Sequence, residues 1–422
     1  MSASSGSRQI HAMLGRAALA LSALATAVGA PAQAAPRQAP HKLLVISVDG
    51  LDERYLRDRD AMGLKIPNLR RLMAAGQPAA GVVGVWPTIT WPSHTSIITG
   101  ARPDQHGILG NRRPKAEGGD YYWTVDLLHS PTLWACAASH GRTTASVTWP
   151  VTTGAPITYD LPEYFQRRNG GSMDLESVAS KATPGLVAGI SHMFPSFPQQ
   201  WVDDRTRTQA VLYLLKAKQP DLILLHLVDL DSEEHDQGPY EANAKAILER
   251  TDELIGQMAS ALPPGYDLVV TSDHGFERLD RIANLKVLAS QQDVAGDLRP
   301  MGGVVATRDP KVAEWLRGLS RQTGGDVGRE IPRDELMQYA PKLSDAVAVF
   351  EPADHVMFGG ADSGSYHTAP TEKGEHGFWP LRHDYRSVYL LYGPGVPAHP
   401  TAELQMVDLK DRLAAVMGLD CR

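Results

Sequence analysis

The chain has 422 residues, 43% of them hydrophobic and 21% charged, which is enough length and apolar content for a large core and excludes intrinsic disorder. Its 41 basic and 48 acidic side chains give a net charge of −7, which argues against a nucleic-acid coat function, because phosphate backbones require clustered positive charge. Two cysteines, Cys136 and Cys421, are too few for a cysteine-based zinc site, and the sequence leaves open whether they pair.

Residues 1–34 have the pattern of a secretory signal peptide. Arg8 and Arg16 flank the start, and residues 17–30 form an uncharged apolar stretch that is too short for a comfortable membrane span. Residues 32–34, Ala-Gln-Ala, supply the small-x-small pattern of a cleavage site. We therefore expect a secreted or periplasmic mature chain with no stable membrane insertion. The alternative is an uncleaved anchor or a disordered tail.

Apolar, β-branched runs of strand length alternate with helical patterns along the rest of the chain. The strand-like runs are residues 41–48, 221–228, 266–272 and 387–392. The helical patterns are residues 67–75, 93–98, 205–218 and 240–262. Continuous hydrophobicity within a strand indicates burial on both faces, so we predict an α/β fold with a mostly parallel central sheet flanked by helices on both faces.

Two stretches fit this sheet less well. Residues 150–200 are rich in Gly, Pro and Ser, and residues 280–370 mix short strand-like runs, such as 302–307 and 345–350, with polar turns. Insertions at the carboxyl ends of strands usually shape a binding pocket. We therefore predict one catalytic domain, residues 35–422, that carries inserted cap segments near 150–200 and 280–370.

Carboxylate and histidine side chains follow three of the predicted strands. Asp49 follows the first strand, Asp231 and His235 follow the second, and Asp273 and His274 follow the third. Ligands of open α/β sheets bind beyond the carboxyl ends of the strands, and carboxylates gathered there would repel one another without a cation. Asp and His ligands without Cys suit zinc or a similar divalent metal.

Two further features add to this metal hypothesis. Asp231 and His235 are four residues apart, so one helical turn would place both on the same face. His376 lies between glycines in the segment 374–377, which can approach a metal closely. Each of these residues taken singly could be a turn or surface residue, so the hypothesis depends on their joint occurrence at successive strand ends.

The segment 86–110 offers a nucleophile. Pro92 is placed for a first helical turn and Gly100 for a C-terminal cap, so Thr90 would stand at a helix N-terminus, which favours anions. A threonine hydroxyl attacks poorly at neutral pH unless a metal lowers its pKa. The alternative is that Thr90 is simply an N-cap.

Together these segments resemble the nucleotide pyrophosphatase/phosphodiesterase family of the alkaline phosphatase superfamily. The resemblance extends over about residues 42–392 in separated motifs. Its motifs are Ser-Val-Asp-Gly at 47–50, Pro-Thr-Ile-Thr-Trp-Pro-Ser-His at 87–94, Asp-Ser-Glu-Glu-His at 231–235, Ser-Asp-His-Gly at 272–275 and Gly-Glu-His-Gly at 374–377. Asn111 matches a family asparagine that donates to a phosphate oxygen.

The resemblance implies a two-metal phosphoric ester hydrolase with two divalent ions, taken as Zn²⁺. Its ligand sets would be Asp49, Thr90, Asp273 and His274 for one ion, and Asp231, His235 and His376 for the other. Thr90 would attack phosphorus and form a phosphothreonine, while Asn111 and a backbone N–H near Trp91 would bind a non-bridging oxygen. The implied substrate is a small phosphodiester or nucleotide, and no protein partner can be inferred.

Three competing functions remain. A phosphomonoesterase or phosphonate hydrolase of the same superfamily would share these motifs. A sulfatase would need Cys or Ser in place of Thr90, followed by an arginine where His94 stands. A non-catalytic binding protein would be expected to lack at least one ligand. Tyr159, Tyr164 and Phe165 in the first inserted segment could stack on a base or simply pack, so the natural substrate stays open.

Overall fold

The computed structural model describes residues 41–165, 174–197 and 202–421. The expected signal peptide, residues 1–34, lies outside the described residues, as do parts of the first predicted insertion. Within the described residues, no helix is long and apolar enough to cross a membrane.

Helices and strands alternate along the described chain. The strands are β1 (Lys42–Val48), β2 (Gln77–Pro78), β3 (Val82–Val83), β4 (Thr144–Val147), β5 (Tyr159–Leu161), β6 (Leu222–Leu227), β7 (Tyr266–Thr271), β8 (Glu277–Arg278), β9 (Arg281–Ala283), β10 (Arg299–Pro300), β11 (Val305–Thr307), β12 (Val327–Glu330), β13 (Ala348–Pro352), β14 (Val356–Phe358), β15 (His367–Thr368), β16 (Gly374–Glu375), β17 (Tyr389–Tyr392) and β18 (Leu404–Gln405). The α-helices are α1 (Glu53–Arg57), α2 (Pro67–Ala75), α3 (Thr90–Thr99), α4 (Pro103–His106), α5 (Leu133–Ser139), α6 (Leu175–Lys181), α7 (Leu186–Met193), α8 (Asp204–Tyr213), α9 (Asp229–Gln237), α10 (Ala242–Ser260), α11 (Leu285–Gln291), α12 (Pro310–Ser320), α13 (Arg333–Tyr339) and α14 (Leu409–Val416).

Seven of the described strands form the central sheet, in the order β2-β17-β7-β1-β6-β4-β5. β1 pairs in parallel with β6 and β7, and β4 pairs in parallel with β5 and β6. β17 runs antiparallel to both β7 and β2 at one edge. The predicted α/β fold with a mostly parallel central sheet is therefore confirmed.

Both faces of the sheet are covered, which explains the continuous hydrophobicity of β1. Its residues Leu44, Ile46 and Val48 pack on one side against α2, α6, α7, α8 and α10. Leu43 and Val45 point to the other side and pack with α3, α5 and α14. Because successive side chains of a strand alternate between faces, a strand between two helical layers must be apolar at every position. Each such fully buried Leu, Ile or Val contributes about 2 kcal/mol.

Most predicted elements appear within a few residues of their expected bounds. α2 matches the predicted helix 67–75, whereas α3 begins three residues earlier than predicted, because proline is tolerated within a first helical turn. α8 ends at Tyr213 and continues as a π-helical segment, Leu214–Lys218. The strand runs predicted at 302–307 and 345–350 shorten or shift to β11 and β13.

The stretch 280–370 builds small sheets of its own among the described residues. β10, β11, β13 and β12 form one sheet in that order, and β14, β9 and β15 form another. Val305, Phe350 and Leu316 from these sheets and α12 share a separate apolar cluster. Its organisation as an insertion into one catalytic domain remains a proposal.

Cys136 and Cys421 form a disulfide that the sequence left undecided. It joins α5 to the C-terminal end of the chain across 285 residues, with the two Cα atoms 5.7 Å apart. Cys421 is thereby fixed to α5, which packs with α3 and α14 on one face of the sheet.

Candidate active site

The sheet order brings the predicted ligand residues together. β1 lies between β6 and β7, so the carboxyl ends of the three strands are neighbours at one edge. His274 Nε2 lies 3.3 Å from Asp49 Oδ1 and 3.1 Å from Asp273 Oδ2. Ligand atoms of Asp49, Asp231 and His274 all lie within 4.8 Å of one another.

A second group forms around Asp231. As predicted, Asp231 and His235 lie one turn apart on a helix, α9, and His235 Nε2 is 3.6 Å from Asp231 Oδ1. His376 Nε2 lies 3.7 Å from the same oxygen. Asp231, His235 and His376 thus form a set of possible ligands that shares Asp231 with the first group.

His376 is brought to this group by the strand that precedes it, β16, which pairs with a strand about 100 residues earlier in the chain. β16 pairs antiparallel with β8, which follows His274 by three residues, and the His274 and His376 rings stack 3.8 Å apart. A Cβ on Gly374 would lie 2.6 Å from the Glu234 carbonyl oxygen, so only glycine allows β16 to approach α9 this closely.

The pKa values of the buried carboxyl groups are shifted in opposite directions. Burial, followed by the Asp49 carboxylate, raises the pKa of Asp231 and of Asp273 well above its ordinary value. Burial also acts to raise the pKa of Asp49, but the neighbouring His226 and His274 side chains outweigh it and hold that pKa well below its ordinary value. Burial and mutual repulsion therefore disfavour the ionised forms of Asp231 and Asp273, and a bound cation would favour them.

The donor atoms themselves fit a cation. Asp49 Oδ1, Asp231 Oδ1, Asp273 Oδ2 and His274 Nε2 are buried and have no hydrogen-bond partner among the described residues. Leaving a buried polar atom without a partner costs free energy of folding. These four atoms come from three strand ends, and a divalent cation that takes oxygen and nitrogen ligands would satisfy them together.

Thr90 is the first helical residue of α3, and Ile89 is the N-cap residue, with no capping hydrogen bond from a side chain. The alternative that Thr90 is an N-cap is therefore wrong. His94 Nδ1–H donates to the Thr90 carbonyl oxygen at 2.8 Å, and the same nitrogen lies 3.4 Å from Asp273 Oδ2. The first turn of α3 is thus held beside the ligand residues.

Two further contacts connect the start of α3 to the rest of the site. The Gly377 N–H donates to the Thr88 carbonyl oxygen at 3.0 Å, which fixes the loop that follows His376. The Trp91 N–H donates to Asn111 Oδ1 at 3.0 Å. Because a backbone N–H can only donate, this bond orients the Asn111 amide so that its NH₂ group remains available to a ligand.

Sequence reasoning missed a buried histidine in β6. His226 Nε2 lies 3.0 Å from Asp49 Oδ2, and His226 Nδ1 lies 3.1 Å from Glu163 Oε2. Burial acts to lower the pKa of His226, but Glu163 and Asp49 outweigh it and raise that pKa well above its ordinary value. A lone histidine inside an otherwise apolar strand was the available signal, because a buried polar side chain requires partners.

An aromatic cluster adjoins the start of α3. We define it as Trp91, Tyr121, Trp123, Tyr164 and Phe165, whose neighbouring rings lie 4.8 to 5.6 Å apart. Trp91 and Trp123 are buried, whereas Tyr121, Tyr164 and Phe165 are partly exposed. Tyr159, the third aromatic residue considered from the sequence, lies in β5 outside this cluster and packs against the core on one face of the sheet, as Phe165 also does.

Comparison with solved structures places the fold. Murine ectonucleotide pyrophosphatase/phosphodiesterase 5 matches with a TM-score of 0.62 at 20% identity, covering 90% of this chain and 96% of that one. The human counterpart matches with a TM-score of 0.61 at 19% identity, with the same coverage. The chain therefore has the alkaline phosphatase-like α/β fold of these structures.

Comparison with sequence families identifies the chain more narrowly. The family model "Type I phosphodiesterase / nucleotide pyrophosphatase" matches residues 43–378. The chain belongs to this family.

The curated relatives are distant and of different lengths. The bis(5'-adenosyl)-triphosphatase ENPP4 of Homo sapiens is 22% identical over 406 residues, covering 90% of this chain and 79% of that protein. A venom phosphodiesterase of Macrovipera lebetinus is 25% identical over 256 residues, covering 56% of this chain and 26% of that protein. The chain thus spans about a quarter of the venom enzyme's length.

Proposed function

We propose that this chain is an exported phosphodiesterase or nucleotide pyrophosphatase that cleaves phosphodiester or pyrophosphate bonds through a phosphothreonine at Thr90. The observation that carries the proposal is the convergence of three buried carboxylates and three histidines, from strand ends far apart in sequence, beside the helix that Thr90 begins.

Two divalent cations, taken as Zn²⁺, would be held by two sets of residues: Asp49, Thr90, Asp273 and His274, and Asp231, His235 and His376. When bound, such a pair of cations favours the ionised nucleophile and neutralises charge on the attacking and leaving oxygens. The ligand sets are supported by the partnerless donor atoms at this edge of the sheet.

The reaction proceeds in two displacements at phosphorus. The Thr90 hydroxyl gives its proton to solvent, and its oxygen forms a bond to phosphorus. The alcohol or phosphate leaving group departs with the electron pair of the broken P–O bond and takes up a proton from solvent, which leaves a phosphothreonine that keeps the other ester group of the substrate. In the second displacement a water oxygen bonds to phosphorus, the P–O bond to Thr90 breaks with its electron pair, and the Thr90 oxygen regains a proton as the product leaves. The Asn111 NH₂ group, oriented by the Trp91 N–H, donates to a non-bridging oxygen as negative charge develops.

A small nucleotide is the substrate class that the surroundings of Thr90 favour. The aromatic cluster beside Thr90 includes the partly exposed rings of Tyr164 and Phe165, and an aromatic surface of this kind favours a ligand with a planar base. Among the relatives, ENPP4 is named a bis(5'-adenosyl)-triphosphatase, and an inactive form of murine ectonucleotide pyrophosphatase/phosphodiesterase 5 was solved in complex with AMP.

Export is supported by two independent features. Residues 1–34 have the signal-peptide pattern, and the Cys136–Cys421 disulfide is of a kind that persists in oxidising compartments. Residues 35–422 would then form the exported catalytic domain, with insertions near 150–200 and 280–370. N-terminal sequencing of exported protein should give a start near Ala35, and recovery of Ser2 would contradict export by cleavage.

A substrate panel tests the proposed activity. Purified protein loaded with zinc should hydrolyse bis(4-nitrophenyl) phosphate and diadenosine triphosphate with higher kcat/KM than 4-nitrophenyl phosphate, a phosphonate monoester or 4-nitrophenyl sulfate. A preference for the monoester or phosphonate would assign the chain to the alternative activity of the same superfamily. Thr90→Ala protein prepared in parallel controls for contaminating hydrolases.

A further inference from the structure

The two carboxylate oxygens of Asp49 have different surroundings. Oδ2 lies 3.0 Å from His226 Nε2, while Oδ1 has no hydrogen-bond partner and lies 3.3 Å from His274 Nε2. A carboxylate accepts, so the His226 Nε2–H donates. This bond fixes the carboxylate by one oxygen and leaves the other facing the proposed cation.

His226 is itself held from its other side. Its Nδ1 lies 3.1 Å from Glu163 Oε2 and 3.2 Å from the Thr148 carbonyl oxygen. Both partners are acceptors, so Nδ1–H also donates and the ring cannot turn without breaking contacts at both ends. His226 is fully buried, and Glu163 is 6% exposed.

The backbone next to this histidine is strained. Thr148 has a φ of +50°, a region that β-branched residues rarely adopt and that costs about 1 to 3 kcal/mol. Its hydroxyl donates to the His226 carbonyl oxygen at 3.0 Å and accepts from Arg207 Nε at 3.0 Å. The Thr148 peptide is therefore held on both sides in the conformation that aims its carbonyl oxygen at His226.

We propose, resting on the function proposed above, that Glu163 and His226 are positioning residues that hold Asp49 in its metal-binding orientation. Ligating carboxylates generally depend on such hydrogen-bonding partners, whose loss lowers metal affinity or activity about 10- to 100-fold. Glu163 directly precedes Tyr164 and Phe165 of the aromatic cluster. The hydrogen bonds from Glu163 through His226 to Asp49 therefore also fix the position of the proposed metal site with respect to the aromatic cluster.

Two substitutions at one position separate positioning from packing. The side-chain NH₂ of Gln in His226→Gln can occupy the place of Nε2 and keep a donor to Asp49. The NH₂ of Asn in His226→Asn can occupy the place of Nδ1, keeping a donor to Glu163 but none to Asp49. Zn²⁺ binding to each metal-free protein is measured by competition with a chromophoric chelator, together with the metal-free Tm and with kcat and KM for bis(4-nitrophenyl) phosphate.

We expect His226→Asn to lose about 10- to 100-fold in affinity for one of the two zinc ions, with kcat falling and KM little changed. His226→Gln should lose less affinity than His226→Asn, because it keeps the donor to Asp49, and both variants should have similar metal-free Tm values. Equal affinity losses in the two variants, or none in either, would overturn the proposal.

Two further variants keep the test decisive. If a His226 variant fails to fold, Glu163→Gln is used instead, because it weakens the acceptor of the His226 Nδ1–H bond at nearly constant side-chain shape. A lowered zinc affinity of this variant supports the positioning role, and a normal zinc affinity overturns it. His106→Gln is the matched control, because His106 is also buried and bonds Ser96 Oγ at 3.0 Å instead of a ligand residue. Suppose that the wild type binds two zinc ions and cleaves the diester, and that all variants have the same zinc affinity and kcat. This result would refute the positioning role alone. Wild-type protein that binds no divalent ion would refute both proposals.

Discussion

Replacing Thr90 by alanine should separate the chemical role of this residue from its structural one. Thr90 is 7% exposed and makes no capping hydrogen bond, so the variant loses one buried methyl group, about 0.8 kcal/mol, and its hydroxyl. Alanine regains up to about 0.7 kcal/mol in helix propensity. The free energy of unfolding should therefore change by no more than about 1 kcal/mol.

Turnover should respond very differently. Loss of the attacking oxygen should lower kcat for bis(4-nitrophenyl) phosphate at least about a thousandfold, which corresponds to about 4 kcal/mol of transition-state free energy. Thr90→Ser keeps the hydroxyl and should remain within about tenfold of the wild type. Wild-type protein quenched with acid during turnover of this diester should carry the remaining 4-nitrophenyl phosphoryl group on the peptide that contains Thr90.

A matched control lies on the same helix. Thr99 is 5% exposed, and its Oγ1 donates to the Thr95 carbonyl oxygen at 2.7 Å. Thr99→Ala should cost about 1 kcal/mol of stability and leave kcat unchanged. Thr90→Ala protein whose kcat stays within tenfold of the wild type would refute the reasoning and leave water as the nucleophile.

Three other expectations concern the metals, one buried carboxyl group and the disulfide. Metal analysis of dialysed active protein should find two divalent ions per chain, chelation should abolish diester hydrolysis and zinc should restore it; active protein without metal would contradict this. Burial raises the pKa of Asp160 to about 8. The folded chain therefore keeps a proton that the unfolded chain releases above about pH 4. Between these two pH values, Asp160 lowers the free energy of unfolding by about 1.4 kcal/mol for each unit of pH. Asp160→Asn should therefore become progressively more stable than the wild type from pH 5 to pH 8 in urea unfolding, and a pH-independent difference would exclude a neutral Asp160. Replacing Cys136 and Cys421 by serine should cost about 2 to 5 kcal/mol of stability, seen as a lower Tm, with kcat for the diester unchanged.

The sequence alone determined those parts of the fold and site that depend on local patterns. Continuous apolar runs predicted β1, β6 and β7, because a strand covered by helices on both faces has no polar side. The spacing of Asp231 and His235 predicted one face of a helix, because the helical repeat fixes that relation over four residues. The positions of Asp49 and Asp273 after such strands predicted that they would meet at one edge.

Only the tertiary structure decided the relations between residues distant in sequence. No local pattern shows that His376 stacks on His274, since that contact depends on the pairing of β16 with β8 and on the space left by Gly374. The pairing of Cys136 with Cys421 was likewise undecided, because 285 residues of chain between two cysteines carry no information on their separation in space. His226 stood in the sequence as one polar residue in an apolar strand. Its partners Asp49 and Glu163 come from other strand ends, and only their packing defines what the histidine does.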